Sequence, residues 1–387
     1  MHIRLNNNNV SDLTIKILIA SFLAQVMVVG VHHLWAIKND FLQLGYTFDK
    51  FHATSVFSEI GSNVFRLSPY IFFIISGFLF FRNFQKENSY KRKVLSRIRS
   101  LGTPYVIWNI IASPWFTAFL IPVFAIFMPW LGEAREMSVK EVFLGNSPGY
   151  YPANAPLWFI RELLLVVLIS PIIWRLINSK FIYMYIAASY ALWIYAANYQ
   201  WGGVENLTQA LFGFSLGGYL QVISRSPFSI SKRMGIAAFI LYIFFVVVEF
   251  CFDFTLNIMI GLECIVFCIA TFAFADYLSK TRLAYLLAWL GEAAIFIYLT
   301  HMIGRGEFAK LVISIINPQN DVAALLTVIL IWALIIGYTV GFWAILRKIA
   351  PGILGFLTGG RVRNLFSVKF KSNNVSDLVK NEPPTIS

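Results

Sequence analysis

The stretch SFLAQVMVVGVHHLW, residues 21–35, decides the class of this protein. It lies in a mostly apolar run from residue 13 to residue 34, and a transmembrane helix needs roughly 20 such residues. The run closes with two adjacent histidines, His32 and His33. The sequence therefore predicts a membrane-spanning helix with ionisable groups at one end.

The composition extends this prediction to the whole chain. Hydrophobic residues make up 58% of the 387 residues and charged residues 13%, whereas a soluble domain carries about 25% charged residues. We therefore predict an all-α fold, a polytopic transmembrane helical bundle of about ten spans. The predicted spans cover residues 13–34, 64–82, 103–130, 157–176, 181–198, 207–224, 234–252, 255–275, 284–304 and 323–345.

The positive charge indicates the orientation of these spans. With the N-terminus in the cytoplasm, the cytoplasmic segments hold 23 Lys and Arg residues and the external segments hold six. Cytoplasmic loops are enriched in these residues, so the bias predicts that both termini are cytoplasmic. We expect a transmembrane domain over residues 1–350, and a cytoplasmic, basic and disordered tail over residues 351–387.

The net charge of +12 could suggest a nucleic-acid-binding protein. The cations follow the predicted cytoplasmic loops, however, so we expect the lipid bilayer as a partner and no nucleic acid. The three cysteines, Cys251, Cys264 and Cys268, all lie in apolar stretches without further polar ligands nearby, and we expect no metal. Gly213 and Gly217 form a GxxxG pattern, which most simply indicates a close helix–helix contact.

The histidines at the end of the first span are candidates for catalysis. Adjacent residues point about 100° apart on a helix, so at most one of them faces the bundle interior comfortably. An interior histidine suits a general base because its unperturbed pKa is near 6.5. An interfacial histidine without a function is the alternative. His301 ends the ninth span on the same side of the membrane as His32.

Charged residues also flank two other spans. Adjacent charges on a helix pair poorly with one another, so we expect Arg161 and Glu162 to contact different neighbours, although an ion pair between helices is an equal alternative. Arg97 and Arg99 lie where a basic loop enters the third span. They serve either as simple topology determinants or as a phosphate site, for which the guanidinium fork is well shaped.

Five segments in this order resemble the acyltransferase family 3 proteins, membrane enzymes that O-acylate extracellular carbohydrates. The resemblance covers residues 15 to 345, and its register selects His32 rather than His33. Many members carry an Arg eleven residues before that histidine, where this chain has Ser21. The segments are SFLAQVMVVGVHH (21–33), RLSPYIFFIISGFLF (66–80), KVLSRIRSLGTPYVIWN (93–109), APLWFIRELLLVVLISPII (155–173) and IFIYLTH (295–301).

The resemblance implies an O-acetyltransferase of the bacterial inner membrane. It would take an acetyl group from cytoplasmic acetyl-CoA and place it on a lipid-linked or nascent polysaccharide. His32 would then be the general base and Glu162 would orient it. The expected CoA-binding residues are Arg97, Arg99 and Lys93. The residues expected to line the acceptor site are Arg161, Trp158 and His301.

Two other functions fit a polytopic membrane protein with basic cytoplasmic loops. A transporter or flippase of lipid-linked glycans would favour discontinuous paired helices and internal symmetry, and neither is evident in the sequence. A polysaccharide polymerase or lipid-carrier glycosyltransferase usually has a large external loop, whereas the longest predicted external loops here, 35–63 and 131–156, are modest. Dependence on acetyl-CoA distinguishes the acyltransferase from both.

Overall fold

The structure is a computed structural model that describes residues 2–5, 10–84, 89–114, 116, 137–145, 150–199, 203–252, 257–360 and 366–369. In the first half the helices are α1 (Asp12–Gln43), α2 (His52–Phe65), α3 (Ser68–Phe81), α4 (Ser89–Arg97), α5 (Thr103–Ile111), α6 (Val139–Leu144), α7 (Trp158–Leu168), α8 (Ser170–Ile177) and α9 (Ile182–Asn198). In the second half they are α10 (Gly203–Val222), α11 (Lys232–Phe252), α12 (Asn257–Ser279), α13 (Ala284–Glu292), α14 (Ala294–Thr300), α15 (Arg305–Ile316), α16 (Asp321–Ile349) and α17 (Pro351–Leu357). The prediction of a helical fold is confirmed.

Five helical segments of the described chain, one of which combines α2 and α3, are long and apolar enough to cross a membrane. They cover Asp12–Gln43, His52–Phe81, Lys232–Cys251, Met259–Ser279 and Asp321–Ile349. The segments Ala155–Leu168 and Ser170–Ile177 would make a sixth span if counted together, but they meet at a bend of 66°. Pro171 lies in the first turn of α8 and cannot donate a backbone hydrogen bond across this break. The protein is thus a multi-pass membrane protein, while ten spans and the orientation stay predictions.

Helix α1 begins at a side-chain cap and extends further than predicted. The hydroxyl of Ser11 accepts a hydrogen bond from the backbone N–H of Thr14, which is a common way to start a helix. The helix ends at Gln43, nine residues beyond the predicted end of the span. Ile37 and Phe41 in this extension are fully buried, so tertiary packing continues the helix past the apolar run.

Helices α3 and α10 pack with their backbones in close contact. A Cβ atom added to Gly217 would lie 2.0 Å from the carbonyl oxygen of Ile74, and one added to Gly77 would lie 2.0 Å from that of Phe214. Gly213 faces Phe73 in the same contact. The GxxxG pattern therefore marks a close helix–helix contact, as predicted.

The chain remains folded beyond residue 350, where the tail was predicted to begin. The indole N–H of Trp108 on α5 donates to the carbonyl of Leu357 at the end of α17, at 2.9 Å. Strand β2 (Phe366–Lys369) pairs antiparallel with strand β1 (His2–Leu5). Residues 370–387 and most of the third predicted span, 103–130, lie outside the described residues.

Candidate active site

His32 on α1 and His301 at the end of α14 lie against each other. Their ring centroids are 5.4 Å apart and the rings are tilted by 41°. The Nδ1 atom of buried His301 lies 3.1 Å from the carbonyl of Ile297 and 3.0 Å from that of Tyr298. Carbonyls only accept, so Nδ1 carries the hydrogen and Nε2 carries a lone pair. That Nε2 is buried and has no hydrogen-bond partner among the described residues.

His33 points elsewhere and is fully buried. Its Nε2 donates to the carbonyl of Val328 at 3.0 Å, and its Nδ1 accepts from the guanidinium of Arg305 at 3.4 Å. Arg305 in turn forms an ion pair of 2.8 Å with Asp40, and both side chains are 7% exposed. We call His32, His33, Asp40, His301 and Arg305 the histidine cluster.

The histidine cluster gives the two adjacent histidines different roles. Both nitrogens of His33 are occupied by groups of the protein, so His33 ties α1 to α15 and α16. His32 is half-buried and makes no hydrogen bond among the described residues. Its imidazole therefore has free hydrogen-bonding capacity beside His301, and this arrangement can accept a proton from a bound hydroxyl.

Asp40 and Arg305 were missed by the sequence analysis. Asp40 lies in the part of α1 beyond the predicted span, seven residues after His33 and hence on the same helix face. Arg305 was treated only as one of the external cations, although it follows His301 by four residues. Their spacing from the histidines was the available signal, but it becomes informative only once α1 is known to continue to Gln43.

Arg161 and Glu162 pair with each other, which corrects the expectation that they contact different neighbours. The guanidinium lies 2.7 Å from the carboxylate and also donates to the carbonyls of Leu144 and Tyr150 at 2.8 and 2.7 Å. Glu162 is 2% exposed, and a carboxylate at that depth requires a cation. Among the described residues no hydrogen bond joins Glu162 to His32, so the expected orienting contact is not present.

Trp158, predicted to line the acceptor site, lies in a series of aromatic contacts that leads to His301. Its ring centroid is 6.4 Å from that of Phe159, Phe159 is 5.9 Å from Tyr298, and Tyr298 is 6.4 Å from His301. The hydroxyl of Tyr298 donates to the carbonyl of Pro156. The start of α7 is thereby packed near the end of α14, although no ring contact within the described part of the chain joins Trp158 directly to His32 or His301.

A second candidate site lies on the basic segment after α3. A pocket of about 670 Å³ is formed by α4, the π-helix Ile98–Gly102 and the turn after α17. We call it the basic pocket. Its lining residues are Lys91, Arg92, Leu95, Ser96, Arg99, Ser100 and Gly359. Arg99 of the predicted phosphate site is therefore present, whereas Arg97, which is half-buried, does not line this pocket.

Lys93 has partners other than those expected. Its ammonium donates to the carbonyls of Phe80 and Arg82 and so caps the C-terminal end of α3. Burial, and then the positive charges of Arg97 and Arg92, lowers the pKa of Lys93 to about 8. Lys93 contributes charge near the basic pocket but is not one of its lining residues.

The described residues contain no group of three or more His, Cys, Asp or Glu side chains that could hold a metal ion. Cys264 and Cys268 are buried and free, and Cys251 is exposed and free. The side chains of the histidine cluster supply imidazole, carboxylate and guanidinium groups.

Comparison with known proteins identifies the family. A family model described as an acyltransferase domain, that of the acyltransferase 3 family, matches residues 22–348. The succinoglycan biosynthesis protein ExoH of Rhizobium meliloti (strain 1021) is 27% identical over 166 residues, which cover 41% of this chain and 42% of that protein. No solved structure matches the chain. Because the matched residues include both His32 and His301 and extend over most of the sequence, this chain belongs to the acyltransferase 3 family of membrane acyltransferases.

Proposed function

We propose that this protein is a membrane O-acetyltransferase of the bacterial inner membrane that transfers an acetyl group from cytoplasmic acetyl-CoA to a hydroxyl of a surface glycan. The observation that carries this proposal is the contact between half-buried His32 and buried His301, whose Nε2 has no hydrogen-bond partner among the described residues. The family supports the acyl transfer, and the name of the relative from Rhizobium meliloti supports a polysaccharide as the acceptor.

The proposed reaction needs one base and no covalent enzyme intermediate. His32 takes the proton of the acceptor hydroxyl as the hydroxyl oxygen attacks the thioester carbonyl, so that a C–O bond forms. The tetrahedral intermediate then breaks its C–S bond, and the leaving thiolate of CoA takes the proton back from His32. General-base catalysis of this kind contributes typically about 10²–10⁴-fold.

His301 has a complementary part in this reaction. Its Nδ1–H is held by two backbone carbonyls, so its Nε2 lone pair can accept a hydrogen bond from the acceptor and orient it beside His32. Arg161 and Trp158 remain proposed acceptor-lining residues, because both lie at the start of α7, which packs near the end of α14 and so near His301. Glu162 neutralises Arg161, and we no longer assign it the orientation of His32.

The basic pocket is the proposed site for the phosphates of acetyl-CoA. Lys91, Arg92 and Arg99 line it together with the hydroxyls of Ser96 and Ser100, and guanidinium and ammonium groups are the usual ligands of phosphate. Arg97 and Lys93 then act through their charge, not through contact. With both termini in the cytoplasm, this pocket faces the compartment that holds acetyl-CoA.

The test is acetyl transfer from radiolabelled acetyl-CoA in membranes that contain the native glycan acceptor. We expect His32→Ala to reduce the amount of label in the glycan by at least about 100-fold at equal protein abundance. His52→Ala is the matched control, because His52 is an exposed histidine at the start of α2, and it should retain wild-type transfer.

Two outcomes would contradict the proposal. Equal label with wild type and His32→Ala would remove His32 from the mechanism while keeping the enzyme. No label with wild type, in the presence of a competent acceptor, would reject the acetyltransferase itself.

A further inference from the structure

Gln25 on α1 is a buried polar side chain with no partner. The residue is fully buried, and neither its Nε2 nor its Oε1 has a hydrogen-bond partner among the described residues. Leaving a buried donor or acceptor unpaired destabilises the fold, and nearly all buried polar groups in proteins are hydrogen-bonded. A carboxamide that lacks partners for both of its ends therefore indicates a ligand that supplies them.

The position of Gln25 relates it to the histidine pair. It precedes His32 by seven residues within α1, which is about two helical turns, so both residues lie on one helix face about 10 Å apart along the axis. Helix α2 runs antiparallel to α1, since Gly30 faces Phe65 and Gly61 faces Leu34, and α3 continues the same span to Phe81. The end of α3, which Lys93 of the basic segment caps, is thus nearest the start of α1, and Gln25 lies between that level and His32.

We propose that Gln25 hydrogen-bonds an amide of the pantetheine arm of the acyl-CoA donor. The inference rests on the proposed function and adds to it a recognition site within the membrane domain. An amide matches the free carboxamide at both ends, because the Nε2 hydrogens can donate to its carbonyl and Oε1 can accept from its N–H. Sugar hydroxyls reach the site from the opposite side of the histidine pair under the proposed orientation.

The length of the pantetheine arm fits this position. Its cysteamine and β-alanine units each have one chain atom more than a peptide residue, and so span about 5 Å each when extended. With the thioester at His32, the second amide lies about 10 Å away. This equals the rise between His32 and Gln25 along α1.

The experiment compares donors that have and lack the amides. We expect Gln25→Met to lower kcat/KM for acetyl-CoA by roughly 10- to 100-fold, and to leave kcat/KM for S-acetylpropanethiol, which has no amide, unchanged. Gln209→Met is the matched control, since half-buried Gln209 on α10 has a partner in Glu205. It should leave the use of both donors unchanged.

A measurement of stability distinguishes recognition of the donor by Gln25 from a structural role of this residue. Because Gln25 makes no hydrogen bond within the described protein, Gln25→Met should keep or raise the melting temperature of the purified protein. A lower melting temperature, together with equal losses for both donors, would show that Gln25 supports the fold and would overturn the inference.

A binding measurement decides the inference even if no transfer is observed. Calorimetric titration of the full-length protein should show weaker binding of CoA to Gln25→Met than to wild type, with unchanged binding of adenosine 3′,5′-bisphosphate, which lacks the pantetheine arm. Failure of the proposed function would appear as absence of transfer by wild type. Failure of this inference would appear as equal CoA affinity of the two proteins, or as no binding of CoA by either.

Discussion

The histidine cluster and the basic pocket hold their charges in opposite ways. In the histidine cluster, the side chains of Asp40 and Arg305 are both 7% exposed, and His33 connects them to the backbone of Val328. In the basic pocket, the side chains of Lys91, Arg92 and Arg99 are exposed, and they carry charge of the same sign. One site is buried and internally paired, and the other is open and lacks a counter-charge in its lining.

This difference determines what each site can do. The buried network of Asp40, Arg305 and His33 fixes the position of neighbouring groups, which is what a proton transfer at His32 requires. Exposed like charges repel one another until an anion neutralises them, which is what a polyanionic donor can provide. Substitutions of Asp40, Arg305 or His33 should accordingly affect folding, and substitutions in the basic pocket should affect ligand affinity.

The largest effect is expected from breaking the buried ion pair. Asp40→Ala leaves Arg305 charged and unpaired in the interior, so we expect a loss of about 3–5 kcal/mol in the free energy of unfolding, measured by denaturation of the detergent-purified protein. Glu307→Ala is the control, because the Glu307–Lys310 pair is partly exposed and contributes about 0–1 kcal/mol. Equal losses in the two variants would mean that burial does not distinguish these pairs.

A smaller effect, on affinity alone, is expected in the basic pocket. Removing Arg92 and Arg99 together by Ala substitution should raise the KM for acetyl-CoA about tenfold and leave kcat unchanged, because exposed phosphate contacts are weakened by solvent and salt. The matched control is Lys232→Ala with Arg233→Ala, two exposed cations at the start of α11. The assignment of this pocket fails if both double variants have the same KM.

The smallest effect is a pH dependence of donor affinity. The pKa of Lys93 is lowered to about 8, so its ammonium loses the positive charge as the pH rises through that value. The potential near the basic pocket then falls, and we expect the KM for acetyl-CoA to rise about twofold between pH 7 and pH 9. Lys93→Arg keeps its charge over this range and should remove that rise. Steady-state kinetics with both proteins would contradict the assignment if their pH profiles coincide.

The sequence analysis succeeded where a single segment carries the information. Apolar runs located the helices of α1, α11, α12 and α16, since the bilayer requires long apolar segments with internally satisfied backbones. It also found His32 and His301 as candidates at the same end of the bundle. It was wrong about Arg161 and Glu162, because helix geometry alone does not include the carbonyls of Leu144 and Tyr150 that draw Arg161 back over the start of α7.

The sequence by itself thus determined that this protein lies in a membrane, that it is helical, which family it resembles and which residue types are available for acyl transfer. Hydropathy and motif order are properties of contiguous residues, so they are readable without coordinates. The tertiary structure decided which of the two neighbouring histidines is committed to a buried network, that Lys93 caps α3, and that Gln25 has no hydrogen-bond partner among the described residues. These depend on atoms that packing brings together from distant parts of the chain, such as His33 and Val328. No local pattern specifies such contacts.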